Sequence, residues 1–499
     1  MIKILATEQI RNLDRYTIEH EPIASIDLME RACVAFVDWY YERFQSIRKI
    51  LIVCGSGNNG GDGLGIARIL SHRQFNVTVC LVPGNAKPSE DNSTNLNRLP
   101  QTVAQIVFQK NGSLPETDIL IDALFGSGLS RPLEGIWIEA VSQINQSKAK
   151  KIAVDIPSGL FADSNSTGSI VQADYTVTFQ LPKLAFLLPQ NEKYVGEWHA
   201  VNIGLSQKSI QETETRHYLV DSESIKKLVQ PRAKFSHKGN FGHSLVIGGS
   251  YGKIGANVLT TRAALRTGSG LVTSLVPRCG YTVLQSCAPE AMVIADDEER
   301  ILTHVPNLAK FTSIGIGPGL GQDQRTVAFL SNLLSHEITP CVLDADALNI
   351  VSDNRDMQNL ISANSILTPH PGEFKRLVGS WKNDFHRLEL QRALSVKLKS
   401  IVILKGAHTS IAMPSGDIYF NSSGNPAMAT GGSGDVLTGI LTALLSQGYK
   451  PTDAALIGVY IHGLAGDLAA KKRFSIIASD IIDEIPAAFQ QVASFSSPG

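Results

Sequence analysis

Two short glycine-rich segments carry the residue types that could do chemistry in this chain. The first covers residues 55–63, with the sequence GSGNNGGDG, and lies between the apolar run Ile50–Cys54 and the helical pattern Leu64–Leu70. Its glycines include the spacing G-x-G-x-x-G, which lets backbone N–H groups approach a phosphate at the start of a helix. We therefore predict an anion-binding loop over 55–63 and a helix over Gly63–Leu70.

The second segment lies near the other end of the chain and covers residues 425–437, with the sequence NPAMATGGSGDVL. Successive backbone N–H groups over Thr430–Gly434 would form a cradle for an anion before a helix over Val436–Leu445. Asp435 would stand in the first turn of that helix, beside the bound anion. This arrangement predicts a phosphate site with a carboxylate next to it.

Two further acids end apolar runs and precede loops that contain glycine. Asp122 ends Ile119–Asp122, and Asp155 ends Ile152–Asp155. At one rim of a parallel sheet they could bind a cation or act as general bases. Alternatively, each could accept backbone N–H groups as a loop cap. The second strand ends LVPG without the acid that a dinucleotide dehydrogenase places there, which weakens that reading.

Strand and helix patterns alternate along the chain, which is typical of α/β folds with parallel sheets. We predict two α/β domains, 1–220 and 221–499, because the stretch around 206–231 is polar and lacks a long apolar period. The predicted strands are Lys49–Cys54, Asn76–Val82, Asp118–Leu124, Lys151–Ile156, Tyr175–Phe179, Ser244–Gly249, Leu271–Val276, Phe311–Ile316, Pro340–Asp344, Ile366–Thr368 and Ile401–Lys405. The other predicted helices are Thr7–His20, Ser25–Ile47, Gly135–Gln146 and Asp453–Leu468.

Composition and net charge limit the classes of protein to which this chain could belong. The chain has 499 residues, a net charge of -1 and no apolar run long enough to span a membrane. We therefore expect neither nucleic acid nor a membrane as a partner. The six cysteines are scattered, without a C-x-x-C pair, which indicates reduced thiols in a cytoplasmic protein.

The first segment, together with Asp122, residues 126–129 (GSGL) and residues 154–159 (VDIPSG), resembles the YjeF N-terminal family of NAD(P)HX epimerases. This resemblance implies a Rossmann-like three-layer domain with a central role for Asp155, and K⁺ held by Asn59, Asp122 and Ser158. It also implies substrate contacts from Asn58, Asn59, Gly60, Gly61, Asp62, Gly126, Ser127, Gly128, Leu129, Ser130, Arg131, Pro132 and Asp155.

The second segment, with residues 315–321 (GIGPGLG), 368–373 (TPHPGE) and 405–409 (KGAHT), resembles the YjeF C-terminal family of ADP/ATP-dependent NAD(P)HX dehydratases, which have a ribokinase-like fold. It implies catalysis by Asp435 and Mg²⁺ bound with ADP or ATP. It also implies hydrate contacts from Ala256, Gly319, His370 and Asp435, and nucleotide contacts from Lys405, Gly406, Ala407, His408, Thr409 and Gly434.

Together the two resemblances imply repair of hydrated NADH and NADPH. The epimerase would interconvert R- and S-NAD(P)HX, and the dehydratase would return S-NAD(P)HX to NAD(P)H, releasing phosphate and, from ADP, AMP. The resemblance favours ADP as the donor and a homo-oligomer as the assembly. A ribokinase-like small-molecule kinase with an accessory nucleotide-binding domain is the alternative. A non-catalytic module of the RNA-decapping type is disfavoured by the neutral charge and the Asp122/Asp155 pair.

Overall fold

The computed structural model describes residues 1–21, 23–45, 49–84, 87–336 and 341–493. It divides into two compact units. The first contains Lys3–Thr215 and the short segment Asn383–Phe385, and the second contains Met1–Ile2 and the rest of the chain from Arg216. The sequence pattern predicts a boundary at 220/221 instead, and the strand His217–Val220 lies between these two positions. This strand pairs with Ile418–Asn421 of the second unit, which explains the earlier division.

The first unit is built on a seven-stranded sheet with the order β4-β3-β2-β5-β6-β7-β8, in which every neighbouring pair is parallel. Its strands are β2 (Lys49–Cys54), β3 (Asn76–Leu81), β4 (Ala104–Val107), β5 (Ile119–Ala123), β6 (Lys150–Val154), β7 (Tyr175–Phe179) and β8 (Glu197–Val201). Its helices are α1 (Thr7–His20), α2 (Ser25–Arg43), α3 (Asn58–His72), α4 (Glu90–Asn97), α5 (Ile136–Gln146), α6 (Glu192–Val195) and α7 (Gln207–Glu212).

Both faces of this sheet are buried, as a parallel sheet requires. Ile50 and Ile52 of β2 pack with α2 and α3, whereas Leu51 and Val53 point to the opposite face and pack with α5. This alternation follows from the two-residue period of a strand. The unit therefore has three layers, as the sequence predicts.

The second unit contains an eleven-stranded sheet with the order β1-β9-β18-β17-β16-β15-β14-β13-β10-β11-β12. Its strands are β1 (Ile2–Lys3), β9 (His217–Val220), β10 (His243–Ile247), β11 (Leu271–Val276), β12 (Met292–Ala295), β13 (Ser313–Ile316), β14 (Cys341–Leu343), β15 (Ile366–Leu367), β16 (Ile401–Leu404), β17 (Ser410–Ala412) and β18 (Ile418–Asn421). Its helices are α8 (Ser222–Leu228), α9 (Ile254–Thr267), α10 (Tyr281–Cys287), α11 (Gln324–Ser335), α12 (Ala345–Asp353), α13 (Pro371–Val378), α14 (Asp384–Leu398), α15 (Ser433–Ser446), α16 (Pro451–Lys472) and α17 (Ala478–Ala493). Strands β10–β16 pair in parallel, and β17 is antiparallel to both of its neighbours.

Both glycine-rich segments differ from their predicted form. Helix α3 begins at Asn58 rather than Gly63, so residues 58–62 are its first turn and not a loop. The Asn92 side chain donates to the carbonyls of Gly55 and Gly57 at 3.0 Å, which fixes the turn before the helix. Helix α15 likewise begins at Ser433, two residues before Asp435.

Other predicted elements agree closely with the structure. Thr7–His20, Tyr175–Phe179 and Leu271–Val276 match α1, β7 and β11. The helix predicted over 25–47 ends at Arg43, and residues 46–47 of that prediction lie outside the described residues. Residue 340 of the strand predicted over 340–344 also lies outside them. All six cysteines are free thiols. Among the described residues, no helix is both long and apolar enough to cross a membrane.

Candidate active sites

The first unit contains a cavity of about 950 Å³ beyond the carboxyl ends of β2, β5 and β6. Ligands bind at this end of open parallel sheets. The cavity is lined by eight of the residues expected to contact substrate: Asn58, Asn59, Asp62, Gly126, Ser127, Gly128, Leu129 and Asp155. Five other expected contacts do not line it. Gly60 and Gly61 are buried inside the start of α3, and Ser130, Arg131 and Pro132 continue the neighbouring loop.

Asp155 is held in a strained conformation at the floor of this cavity. Its φ angle is 65°, in the left-handed region that costs a residue other than glycine about 1–3 kcal/mol. Lys183 Nζ donates to Asp155 Oδ1 at 2.6 Å and to Thr178 Oγ1 at 2.6 Å, and the Ser127 N–H donates to Asp155 Oδ2 at 3.1 Å. These contacts fix the carboxylate although the backbone is strained.

The charge state of Asp155 follows from the same contacts. Burial disfavours its ionised form, but the Lys183 ammonium and the hydrogen bonds from Lys183 and Ser127 outweigh burial and lower the pKa of Asp155. Lys183 is only 1% exposed, so the pair is buried. Asp155 is therefore a carboxylate at neutral pH and can accept a proton.

Asp122 and Ser158 form a second buried group close to this cavity. Ser158 Oγ donates to Asp122 Oδ1 at 2.7 Å, and the Ser158 N–H donates to Asp122 Oδ2 at 2.8 Å. Burial raises the pKa of Asp122 to about 6, although hydrogen bonds from Ser158 and Leu124 oppose the rise. The Asn59 amide nitrogen is buried and has no hydrogen-bond partner among the described residues.

The glycines at the start of α3 have unequal structural roles, which yields a first testable prediction. A Cβ added to Gly60 would lie 1.9 Å from the Gly55 carbonyl oxygen, whereas one added to Gly57 would meet nothing within 4 Å. We expect Gly60→Ala to destabilise the first unit by roughly 2 kcal/mol or more, because backbone must move. Chemical unfolding should reveal the loss, and the matched Gly57→Ala variant should retain its stability. Equal stability of both variants would contradict the packing described here.

The second unit contains a cavity of about 440 Å³ at the starts of α9, α12 and α15. Three of the four residues expected to contact the hydrate line it: Ala256, Gly319 and Asp435. Gly319 has a φ of 64°, and a Cβ there would lie 2.6 Å from the Lys253 carbonyl, so glycine is required. Asp346 and Glu373, to which the sequence assigned no role, also line the cavity.

A cluster of acids surrounds one lysine beside this cavity. Lys405 Nζ lies 2.7 Å from Asp344 Oδ1 and 4.0 Å from Glu373 Oε2, and Thr438 Oγ1 donates to Asp344 Oδ2 at 2.8 Å. Burial and the nearby Asp344 raise the pKa of Asp435 to about 7, against the effect of Lys405. Asp435 can therefore exchange a proton near neutral pH, which suits a general base.

The remaining expected ligands of the second unit have structural contacts. His370 does not line the cavity, and its Nδ1 accepts the Gly372 N–H at 3.0 Å at the start of α13. Thr409 Oγ1 accepts the Gly406 N–H at 3.2 Å, which closes the turn over residues 406–409. A Cβ on Gly434 would lie 3.3 Å from Lys405 Nζ, so Gly434 and Lys405 are neighbours.

Sequence reasoning missed several charged residues at both sites. Lys183 follows β7, and the rule that ligands meet at the carboxyl ends of parallel strands could have found it. Asp14 lies on α1 and lines the first cavity. Helical spacing alone does not show which face of α1 meets a cavity, so no signal in the sequence singled it out.

Comparison with known proteins follows the same division. Residues 25–185 match the family model described as YjeF-related protein N-terminus, and residues 244–487 match the model described as NAD(P)H-hydrate dehydratase. The Bifunctional NAD(P)H-hydrate repair enzyme Nnr of Moorella thermoacetica is 36% identical over 97% of this chain and 96% of its own length. This chain belongs to the family of bifunctional NAD(P)H-hydrate repair enzymes.

Other members of the repair-enzyme family match over a similar range. The protein of the same name from Escherichia coli K12 is 34% identical over 93% of this chain and 89% of its own length.

The crystal structure of a ribokinase-like superfamily protein from Enterococcus faecalis matches 56% of this chain and 98% of its own length, with a TM-score of 0.51 and 29% identity. The ribokinase-like fold predicted for part of this chain is thereby confirmed.

Proposed function

We propose that this repair enzyme epimerises R- and S-NAD(P)HX in its first unit and dehydrates S-NAD(P)HX in its second, with ADP or ATP as phosphate donor. The observation that carries this proposal is that each unit has its own cavity with a differently tuned carboxyl group. The pKa of Asp155 is lowered, whereas that of Asp435 is raised to about 7. Two separate acid–base groups suit two successive reactions.

The dehydratase must make a hydroxyl group leave the hydrated ring. Hydroxide leaves poorly near neutral pH, whereas a phosphate on C6 leaves as the ring nitrogen donates electrons. Asp435 accepts the proton of the C6 hydroxyl as that oxygen attacks the terminal phosphate of the nucleotide. Lys405 and the backbone N–H groups over 432–434 hold the phosphate, since a helix start favours anions. Bound together with the nucleotide, Mg²⁺ would supply the charge neutralisation that phosphoryl transfer requires.

The epimerase must break and remake the stereocentre at C6. Asp155 serves as its base, because it lines the cavity as a fixed carboxylate. The first turn of α3 over 58–62 and the loop over 126–132 contact the nucleotide. An epimerase on the same chain makes both hydrates repairable, because a dehydratase cavity shaped for one epimer cannot present the other hydroxyl to the phosphate.

Asn59, Asp122 and Ser158 suit a monovalent cation. They offer carboxylate, amide and hydroxyl oxygens, and the Asp122 carboxylate is fully buried. A K⁺ ion would offset that buried charge and order the loops beside Asp155.

A mixture of R- and S-NADHX tests the proposal. With Mg²⁺, K⁺ and ADP or ATP, we expect complete return of the dihydronicotinamide absorbance and one phosphate released per molecule repaired. Replacing K⁺ by Na⁺ should make recovery stall near the S fraction, because only epimerisation loses its cation. Complete recovery at an unchanged rate without K⁺ would reject the cation site.

The same assay addresses the kinase alternative. A small-molecule kinase would leave a stable phosphorylated product and no free phosphate, and it would not restore the absorbance. We place the enzyme in the cytoplasm, because its six free thiols suit a reducing compartment. The homo-oligomer remains a prediction from the family resemblance.

A further inference from the structure

Helix α1 forms one wall of the first cavity and brings a second carboxyl group to it. Ile10, Asp14 and Ile18 line the cavity, at the spacing of one helix face, and Leu13 and Thr17 are buried on the adjoining face. Asp14 therefore shares the cavity with Asp155 and Lys183. The matched family region begins at residue 25, beyond α1, and none of the residues predicted for the site lies on this helix.

The position of α1 against the cavity is fixed by its contacts. Thr7 Oγ1 donates to the Ser127 carbonyl at 3.3 Å, and Arg11 Nη2 donates to the Gly128 carbonyl at 3.2 Å. Leu13 packs in a buried cluster with Leu28 of α2 and with the segment around Ile203. Asp14 is thus held on a rigid helix that contacts the substrate loop over 126–129.

Asp14 and Asp155 have opposite electrostatic environments. Burial raises the pKa of Asp14 to about 6, with a further rise from Asp155 and an opposing effect of Lys183. The ion pair with Lys183 lowers the pKa of Asp155 instead. Below about pH 6, one cavity therefore holds a carboxyl group that retains its proton and a carboxylate that lacks one, which is the arrangement of an acid–base pair.

Other charged groups of both signs line the cavity around Asp14. On α1 itself, Arg11, Arg15 and Glu19 line the cavity, but all three are exposed and screened by water. From elsewhere, Lys87 lines the cavity and is also exposed, whereas Asp91 is half-buried and raises the pKa of Asp62.

Asp62 is a second carboxyl group in the cavity whose pKa is raised by burial and by its acidic neighbours. Its pKa is raised well above the usual range, by burial first and then by Asp155, Asp14 and Asp91. A group that holds its proton so firmly donates hydrogen bonds well but transfers the proton poorly near neutral pH. Asp14 is therefore better matched to proton transfer than Asp62.

We propose that Asp14 is the proton donor of the epimerase, acting opposite Asp155. This inference rests on the epimerisation proposed above. Asp155 takes the proton of the C6 hydroxyl, whose oxygen becomes an aldehyde oxygen. The C6–N1 bond breaks, and its electron pair moves to N1, which receives the proton of Asp14.

Ring closure restores both groups. Rotation about the C5–C6 bond turns the other face of the aldehyde towards N1. As N1 attacks C6, its proton returns to Asp14 and the proton on Asp155 returns to the oxygen. Each turnover therefore converts one epimer to the other without net exchange of protons between enzyme and solvent.

The test uses the full chain with R-NADHX and K⁺, without ADP or ATP, so that dehydration cannot occur. Formation of the S epimer is followed by chromatography and corrected for the rate without enzyme. We expect Asp14→Asn to lose about 100-fold or more of the epimerisation rate, and Asp14→Glu to recover much of it. The control Glu8→Gln removes an exposed acid on the same helix but outside the cavity and should stay within about twofold of wild type.

The pH profile separates a proton donor from a structural role. Because Asp14 must be protonated, kcat/KM of the wild type should fall as pH rises through about 6, and Asp14→Asn should lack this fall. Dehydration of S-NADHX by Asp14→Asn should be unchanged, because the second unit has its own cavity. The Tm of this variant should not decrease, because Asn replaces a carboxyl group whose ionised form is disfavoured by burial and by Asp155.

Three outcomes would overturn the inference. An active Asp14→Asn enzyme with the wild-type profile would reject Asp14 and leave the epimerase function standing. Loss of the pH-dependent fall in Asp62→Asn but not in Asp14→Asn would move the role to Asp62. A wild-type enzyme that never exceeds the spontaneous rate would refute the epimerase function itself and this inference with it.

Discussion

Replacing Asp435 by Asn should reduce dehydration of S-NADHX by roughly 10³-fold, because the variant lacks the base that takes the C6 hydroxyl proton. Binding of ADP should persist, since Lys405 and the backbone N–H groups of α15 remain. The measurement is the initial rate of absorbance recovery from pure S-NADHX, with nucleotide binding followed by calorimetry. The same substitution at Asp453, in the first turn of α16 and outside the cavity, is the matched control.

The wild-type enzyme should show the titration of this group directly. The pKa of Asp435 is raised to about 7, and the base must be ionised to work. Activity should therefore fall as pH decreases through 7, approaching about tenfold per unit. Rapid turnover by Asp435→Asn, or a profile that is flat between pH 5 and 8, would reject Asp435 as the base.

Replacing Asp155 by Asn should leave R-NADHX to epimerise only at its spontaneous rate, while S-NADHX is still dehydrated. Asn tolerates the left-handed backbone at this position, so the main chain can remain in place. The measurement is the conversion of R to S without nucleotide. Asp174→Asn is the matched control, because Asp174 precedes β7 at the opposite end of the same sheet.

The variant also leaves the buried Lys183 ammonium without its carboxylate, which typically costs about 3–5 kcal/mol. The double variant Asp155→Asn/Lys183→Met removes that unpaired charge and should regain much of the stability without regaining epimerisation. Recovery of activity in the double variant would show that Asp155 serves only to neutralise Lys183. Equal loss of S-NADHX dehydration in Asp155→Asn would argue against two separate sites.

Much of this architecture could be predicted from the sequence, because the spacing of apolar residues and the placement of glycines are local properties of the chain. The strands β2 and β5–β7 and the position of Asp155 beyond β6 followed from apolar runs that end in polar residues. The start of α3 could not be read in this way, because it depends on Asn92. That side chain lies on a helix that the sequence pattern did not reveal.

The charge states of the carboxyl groups at the two sites could not be predicted from the sequence either. Asp155 is ionised because of Lys183, 28 residues further along, and Asp435 is tuned by Asp344, more than 90 residues before it. Such effects depend on distance in space and on burial, neither of which a single sequence contains. His370 is the opposite case. Its position between two prolines suggested a ligand contact, and in the structure its side chain caps the start of α13.

The first turn of α3 has a thermodynamic consequence. Asn92 and Asn95 donate to the carbonyls of Gly55, Gly57 and Gly61, each at 3.0 Å, so contacts within the protein hold these backbone groups in place. A ligand that meets residues 58–62 therefore loses little chain entropy there on binding. Association should be fast and its heat capacity change modest, as expected when two preformed surfaces meet.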